Sequence, residues 1–204
     1  MAAAHEPAGL TAKGARTRAR IVDAAVALVQ RQGVAETTVG EVKNSAGVSS
    51  SQLYHYFADK GALVQAVVER QAELIVATQE RAGMGTLEGL QVWRDGVVAH
   101  AREVAGVGGC PLGHLVGQLA ETDENARAEL AEGFRRWAAT LRQALHDLHR
   151  AGHLASGVDP DSLGDTLLAT LQGGLLLAQV ERDATPLETA LDTLLALAVR
   201  DGAR

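Results

Sequence analysis

Residues 33–63 read GVAETTVGEVKNSAGVSSSQLYHYFADKGAL, and the fold is decided by this stretch. Thr38 with Glu41 three residues on has capping-box spacing, in which hydroxyl and carboxylate each satisfy a backbone N–H of the other residue. This predicts a short helix to about Ala46. Gly47 ends it where a left-handed backbone suits a residue without Cβ. Ser49 caps a second helix, from Ser50 to about Tyr56, and Asp59 caps a long one from Lys60 to about Arg81. Neither short helix can bury a core alone. The helix before them, Thr17 to Gln32, supplies one: Ile21, Ala24, Ala25, Leu28 and Val29 recur at three and four, and Gly33 closes it. Leu53 and Phe57, four apart, face inward together and leave Ser50, Ser51, Gln52 and Tyr54 outside.

Working outward, residues 1–15 read as a flexible arm, small and polar with Pro7 and two glycines. Beyond Arg81 every segment has helical periodicity. Helices are expected over 86–105, 111–119 (Pro111 in its first turn), 124–151, 160–180 and 186–199. No β-branched run alternates with period two. The expected fold is all-α: a three-helix head over 16–60, then a helical body of about six helices over 61–204.

The 204 residues are 47% hydrophobic, enough for a real core. No charge-free apolar run is long enough to span a bilayer, the start lacks a basic-then-apolar leader, and Cys110 is the single cysteine. A cytoplasmic protein without membrane association, metal site or cofactor is the expectation. The net charge of −6 is unevenly spread. Residues 1–60 hold seven Lys/Arg against five Asp/Glu, leaving a mildly basic head on an acidic body. Such a head can meet a polyanion locally, because the potential at the contact face matters more than the total.

Two short helices about a glycine turn, braced by a third, form a helix-turn-helix, whose second helix enters the major groove of double-stranded DNA by its N-terminal end. Here that end displays Ser50, Ser51 and Gln52, which can meet base edges. Tyr54, His55 and Lys60 flank it as phosphate contacts. Spacing alone leaves open a helical protein–protein adaptor or a small helical enzyme. No nucleophile elbow, His-Glu-x-x-His motif or phosphate loop supports catalysis.

Residues 33–63 closely resemble the DNA-binding domain of the TetR family of bacterial regulators. Gly47-Val48-Ser49, Leu53-Tyr54, Phe57, Lys60, Leu63 and the Thr-Thr-Val start of the second helix carry the match. The resemblance implies a homodimeric regulator, usually a repressor, that binds a palindromic operator and is released by a small molecule held in a variable body. It carries base reading to Ser50, Ser51 and Gln52, and backbone contact to Thr38, Tyr54, His55 and Lys60. Gly109-Cys-Pro-Leu-Gly113 and Leu171-Gln-Gly-Gly-Leu175 look like the branch related to LmrA- and YxaF-type regulators. The chain departs from the family pattern at Val34, usually aromatic, at Gly61, usually acidic, and at Lys43, usually a small alanine. Lys43 can snorkel outward or reach a phosphate.

In the body, shared helical faces nominate an apolar or amphipathic effector's pocket at Trp93, Val97, Leu112, His114, Leu115, Gln118, Phe134, Trp137 and Leu141. Leu163, Leu167, Leu171 and Leu175, with Leu187, Leu191, Leu194 and Leu195, are expected to form a four-helix dimer interface, Gly173 and Gly174 permitting close approach.

Overall fold

The computed structural model describes residues 10–200, which hold nine helices and no strand. In order they are α1 Ala12–Glu36, α2 Val39–Ala46, α3 Ser50–Tyr56, α4 Lys60–Ala82, α5 Leu87–Glu103, α6 Pro111–Leu119, α7 Glu124–Arg150, α8 Pro160–Glu181 and α9 Thr185–Ala198. All nine expected helices are present. The chain divides into two compact units after Arg70, inside α4 rather than at its start.

α1 begins five residues earlier than its periodicity predicts, because the Thr11 hydroxyl accepts the Gly14 N–H at 3.2 Å and caps it. The expected arm therefore does not reach residue 15, and residues 1–9 lie outside the described range. At Gly33 the backbone leaves helical geometry (φ 84°, ψ 169°), the break expected there.

In the head unit, α1 buries Ile21, Val22, Ala25, Val26, Leu28 and Val29, while Ala24 is only half-buried. The stripe is thus wider than expected, taking in Val22 and Val26. Val42 and Ala46 of α2, Leu53 of α3, Phe57, and Leu63, Val64 and Val67 of α4 complete this core. The Arg18 guanidinium lies 5.4 Å from the Phe57 ring centroid, a cation–π contact over a buried ring.

In the body unit α7 buries Leu130, Trp137, Leu141, Leu145 and Leu148 along one side. α6 adds Leu112, Leu115 and Leu119. The α8–α9 pair is drawn close by Gly174, where a Cβ would lie 2.9 Å from the Leu187 Cα. The side chain of Arg94, 12% exposed, ties α5 to α9 by bonds to Asp192 (2.6 and 2.5 Å) and Glu188 (3.1 Å).

Five of the eight leucines expected at a dimer interface are buried within a single chain. Leu163, Leu167, Leu171, Leu187 and Leu191 are each at most 6% exposed within a single chain, so they hold α8 and α9 in their own body. Leu175, Leu194 and Leu195 are half-buried. Gly174 serves the α8–α9 contact, whereas Gly173 is exposed. On α8 and α9 the large apolar side chains left uncovered are Leu176 (61%), Leu177 (48%), Val180 (74%) and Leu197 (74%).

Candidate nucleic-acid interface and small-molecule cleft

The α2–turn–α3 unit is built from two reciprocal caps. At α2 the Thr38 hydroxyl accepts the Glu41 N–H at 3.2 Å. Glu41 Oε2 in turn accepts the Thr38 N–H at 2.9 Å and its hydroxyl at 2.7 Å. Gln32 adds an amide donor at 3.3 Å. These bonds, the Thr38 backbone N–H foremost, hold the Glu41 carboxyl below its ordinary pKa. Gly47 then turns the chain in left-handed geometry (φ 61°, ψ 43°). At α3 the Ser49 hydroxyl accepts the Gln52 N–H at 3.1 Å, and Gln52 Oε1 accepts the Ser49 N–H at 2.9 Å. Ser-x-x-Gln is itself a capping-box signature; reading Ser49 as a lone cap overlooked it.

Leu53 (1% exposed) and Phe57 (3%) anchor α3 inward. Ser50, Ser51, Gln52, Tyr54 and His55 are all exposed. Gln52 has one end committed, since its oxygen holds the cap while its amide nitrogen has no partner among the described residues. The Thr38 hydroxyl is likewise directed at Glu41. Lys60, half-exposed, donates from Nζ to the Ala35 carbonyl at 3.3 Å and so fastens the start of α4 to the end of α1. Lys43 is half-buried on α2. A Cβ on Gly14 would sit 3.4 Å from the Tyr56 hydroxyl, which places the first turn of α1 beside α3. The exposed cations Lys13, Arg16 and Arg20 on α1 were not among the expected contacts, although their clustering in the sequence is visible.

Glu41 has a lower pKa folded than unfolded, so its contribution is complete above the unfolded value and disappears as pH falls through the folded one. Glu41→Gln is therefore expected to melt below the parent at neutral pH and to converge with it in acid, by thermal unfolding from pH 3 to 7. A gap of constant size across that range would mean that the carboxylate plays no part in the cap.

In the body a cleft of about 710 Å³ opens between α6, α7 and α8. Its walls include Val116, Leu130, Phe134, Leu175 and Leu176, with polar groups from His114, Arg127, Gln172 and Gln179. Of the nine expected pocket residues, only His114 and Phe134 line it. Leu112, Leu115, Leu141, Trp93 and Trp137 are packed at 4% exposure or less. Val97 is half-buried away from the cleft, and Gln118 donates to the His114 carbonyl at 3.3 Å. The reason is rotational: α6 turns 112, 115 and 119 to the core, which leaves 113, 116, 117 and 120 for the cleft.

Phe134 stacks on Trp137, ring centroids 6.1 Å apart and planes within 13°. The indole N–H groups of Trp93 and Trp137 are buried without a hydrogen-bond partner among the described residues. Cys110 reaches the cleft wall as the N-cap of α6: its Sγ accepts the Gly113 N–H at 3.3 Å and the Gln172 amide at 3.5 Å. That capping role was not visible in the sequence.

Family models place residues 21–67 with "Bacterial regulatory proteins, tetR family" and residues 86–194 with "Tetracyclin repressor-like, C-terminal domain". An uncharacterised HTH-type transcriptional regulator of Mycobacterium tuberculosis is 30% identical over 84% of this chain and 88% of its own. The crystal structure of a regulatory protein TetR from Rhodobacter sphaeroides aligns with a TM-score of 0.76 at 21% identity, covering 90% of this chain and 99% of that one. SmeT, described as the repressor of a Stenotrophomonas maltophilia multidrug efflux pump, has been solved with triclosan. That complex aligns at 29% identity with a TM-score of 0.67, covering 92% of this chain and 93% of its own.

Proposed function

Because the chain belongs to the tetR family of bacterial regulatory proteins, DNA-binding transcriptional regulators and not enzymes, we propose that it is a homodimeric repressor released from a palindromic operator by a small molecule. The observation that carries this reading is the exposed N-terminal face of α3, held outward by Leu53 and Phe57. Ser50, Ser51 and the free amide end of Gln52 read base edges there. Tyr54, His55, Lys43 and Lys60, joined by Lys13, Arg16 and Arg20 of α1, meet phosphates. Thr38 contributes mainly by capping α2.

The uncovered Leu176, Leu177, Val180 and Leu197 form the dimer surface, since apolar side chains this exposed and this closely spaced call for a partner. The effector, an apolar or amphipathic molecule, occupies the cleft between α6, α7 and α8. Its volume suits a drug-sized ligand, and the triclosan complex of SmeT supports a small organic molecule. Release is a population shift: the effector binds better to the dimer state whose heads cannot fit two half-sites about 34–36 Å apart. By linkage, operator DNA weakens effector binding by the same factor.

The test is selection of bound fragments from genomic DNA, followed by titration of the selected operator at several salt concentrations. A palindromic sequence bound with a steep loss of affinity in salt is the expected result. Absence of enrichment, or a flat salt response, refutes it. With that operator, Gln52→Ala is expected to reduce discrimination at one base pair by about 1–3 kcal/mol. Unchanged ranking of all single-base variants would leave Gln52 as a cap alone.

A further inference from the structure

The cleft between α6, α7 and α8 differs at its two ends. α7 lays Arg127, Leu130, Ala131 and Phe134 along it, the i, i+3, i+4 and i+7 positions of one helical stripe. Seven residues rise about 10 Å, which sets the Arg127 level that far from the Phe134 level. α8 runs antiparallel to α7, since Arg142 bonds Asp165 at 3.1 Å and His146 bonds Asp161 at 3.0 Å. A Cβ on Gly164 would lie 3.2 Å from the Arg142 Cα. Fifteen residues back from Arg142 and fifteen on from Gly164 bring Arg127 level with Gln179. By the same stepping Phe134 is level with Gln172.

The ionisable side chains lining the cleft are Arg127, His114 and Cys110, with no Asp or Glu among the described residues there. Arg127 gives Nε and Nη2 to Glu124 at 2.7 and 2.5 Å. That pair is an exposed i, i+3 contact (51% and 76%), which contributes little and is screened by salt. It occupies one edge of the guanidinium. The Nη1–Nη2 edge is left for a second carboxylate. Gln179 makes no hydrogen bond among the described residues, so its amide donors are also uncommitted. Toward the other end Phe134 is backed by Trp137, and the Gln172 amide already donates to Cys110 Sγ at 3.5 Å. Gly117 and Gly173 keep the middle open, for a Cβ on either would have nothing within 4 Å.

Resting on the reading of this cleft as the effector site, we propose that the effector is a carboxylate with an extended apolar tail. Its head meets Arg127 and the Gln179 amide, and its tail runs along Leu130 and Ala131 to the Phe134 ring. A planar carboxylate matches the free edge of the guanidinium, and its charge finds no acid in the walls to repel it. An ammonium head would meet Arg127 with like charge. An alcohol would forgo the charge-assisted bond.

The experiment is calorimetric titration of the full chain at neutral pH with octanoate, octanol and octylammonium. Saturable binding of octanoate, at least tenfold tighter than either control, is expected. Arg127→Gln should bring octanoate down to the level of octanol. Glu124→Gln, outside the cleft lining, should tighten octanoate at least twofold by removing the competing carboxylate. Circular dichroism should show both variants as helical as the parent, because both side chains are exposed. Absence of saturable octanoate binding, equal binding of octanoate and octanol, or an Arg127→Gln variant that keeps the preference would each overturn the assignment. Titration in the presence of the selected operator separates the two readings. Release by octanol and not by octanoate keeps the effector site and overturns the carboxylate, whereas octanoate bound without release keeps the carboxylate and overturns the effector role.

Discussion

With Leu177 replaced by aspartate, the chain is expected to stay fully helical, sediment as a monomer and lose tight operator binding. Leu177 is 48% exposed and continues a stripe through Gly173, Leu176 and Val180 at the three- and four-residue spacing of one helical face. None of the described residues of its own chain covers this face. In a two-fold interface each aspartate would come close to its symmetry mate, adding repulsion to the cost of desolvation. A single head reads one half-site. Joining two heads raises avidity by about 10²–10⁴ through effective concentration, so a loss of at least roughly a hundredfold is expected. Sedimentation across a concentration series and operator titration supply the measurement, with circular dichroism checking the fold. A variant that remains dimeric and binds like the parent would move the interface off this face.

The same substitution six residues earlier is expected to do something different. Leu171 is 2% exposed, inside the body of its own chain. An aspartate there buries a carboxylate with no partner, at a cost of several kcal/mol, or takes up a proton to avoid it. Whole domains are stable by only about 5–15 kcal/mol, so the body should unfold or melt far below the parent. At about 2–4 °C per kcal/mol for a chain of this size, the expected fall in Tm exceeds about 10 °C. Leu171→Asp should therefore lose helicity where Leu177→Asp keeps it. If Leu171→Asp instead melted with the parent, the packing of α8 described above would be wrong.

The contrast between these two positions marks the limit of a periodicity argument. Leu163, Leu167, Leu171 and Leu175 recur every four residues and read as one face. At about 100° per residue, each such step drifts by about 40°. By Leu175 the direction has turned far enough to leave the buried stripe, which passes instead through Gly174 and Ala178. Leu163, Leu167 and Leu171 are the chain's own core, Leu175 is half-buried, and the uncovered face begins one or two residues after it. Most of the expected pocket residues lie outside the cleft between α6, α7 and α8 for a related reason. An apolar side chain packed against a neighbour and one lining a void have the same sequence signature, so Trp93, Trp137 and Leu141 were indistinguishable from Phe134.

Local chemistry by itself determined the nine helices, the Gly33 and Gly47 breaks, the inward anchors Leu53 and Phe57 and the outward face of α3. Each depends on contacts within a few residues: a cap, a left-handed glycine, an i to i+4 pair. Likeness to a known motif then supplied the function of that face. The tertiary structure alone decided which of several apolar stripes meets another helix, where the cleft between α6, α7 and α8 opens, and that Trp93 and Trp137 keep buried indole N–H groups without partners among the described residues. These outcomes depend on distances between residues far apart in the chain. Such distances follow from how whole helices pack, through close approaches like that of Gly174 to Leu187, and no local pattern encodes them.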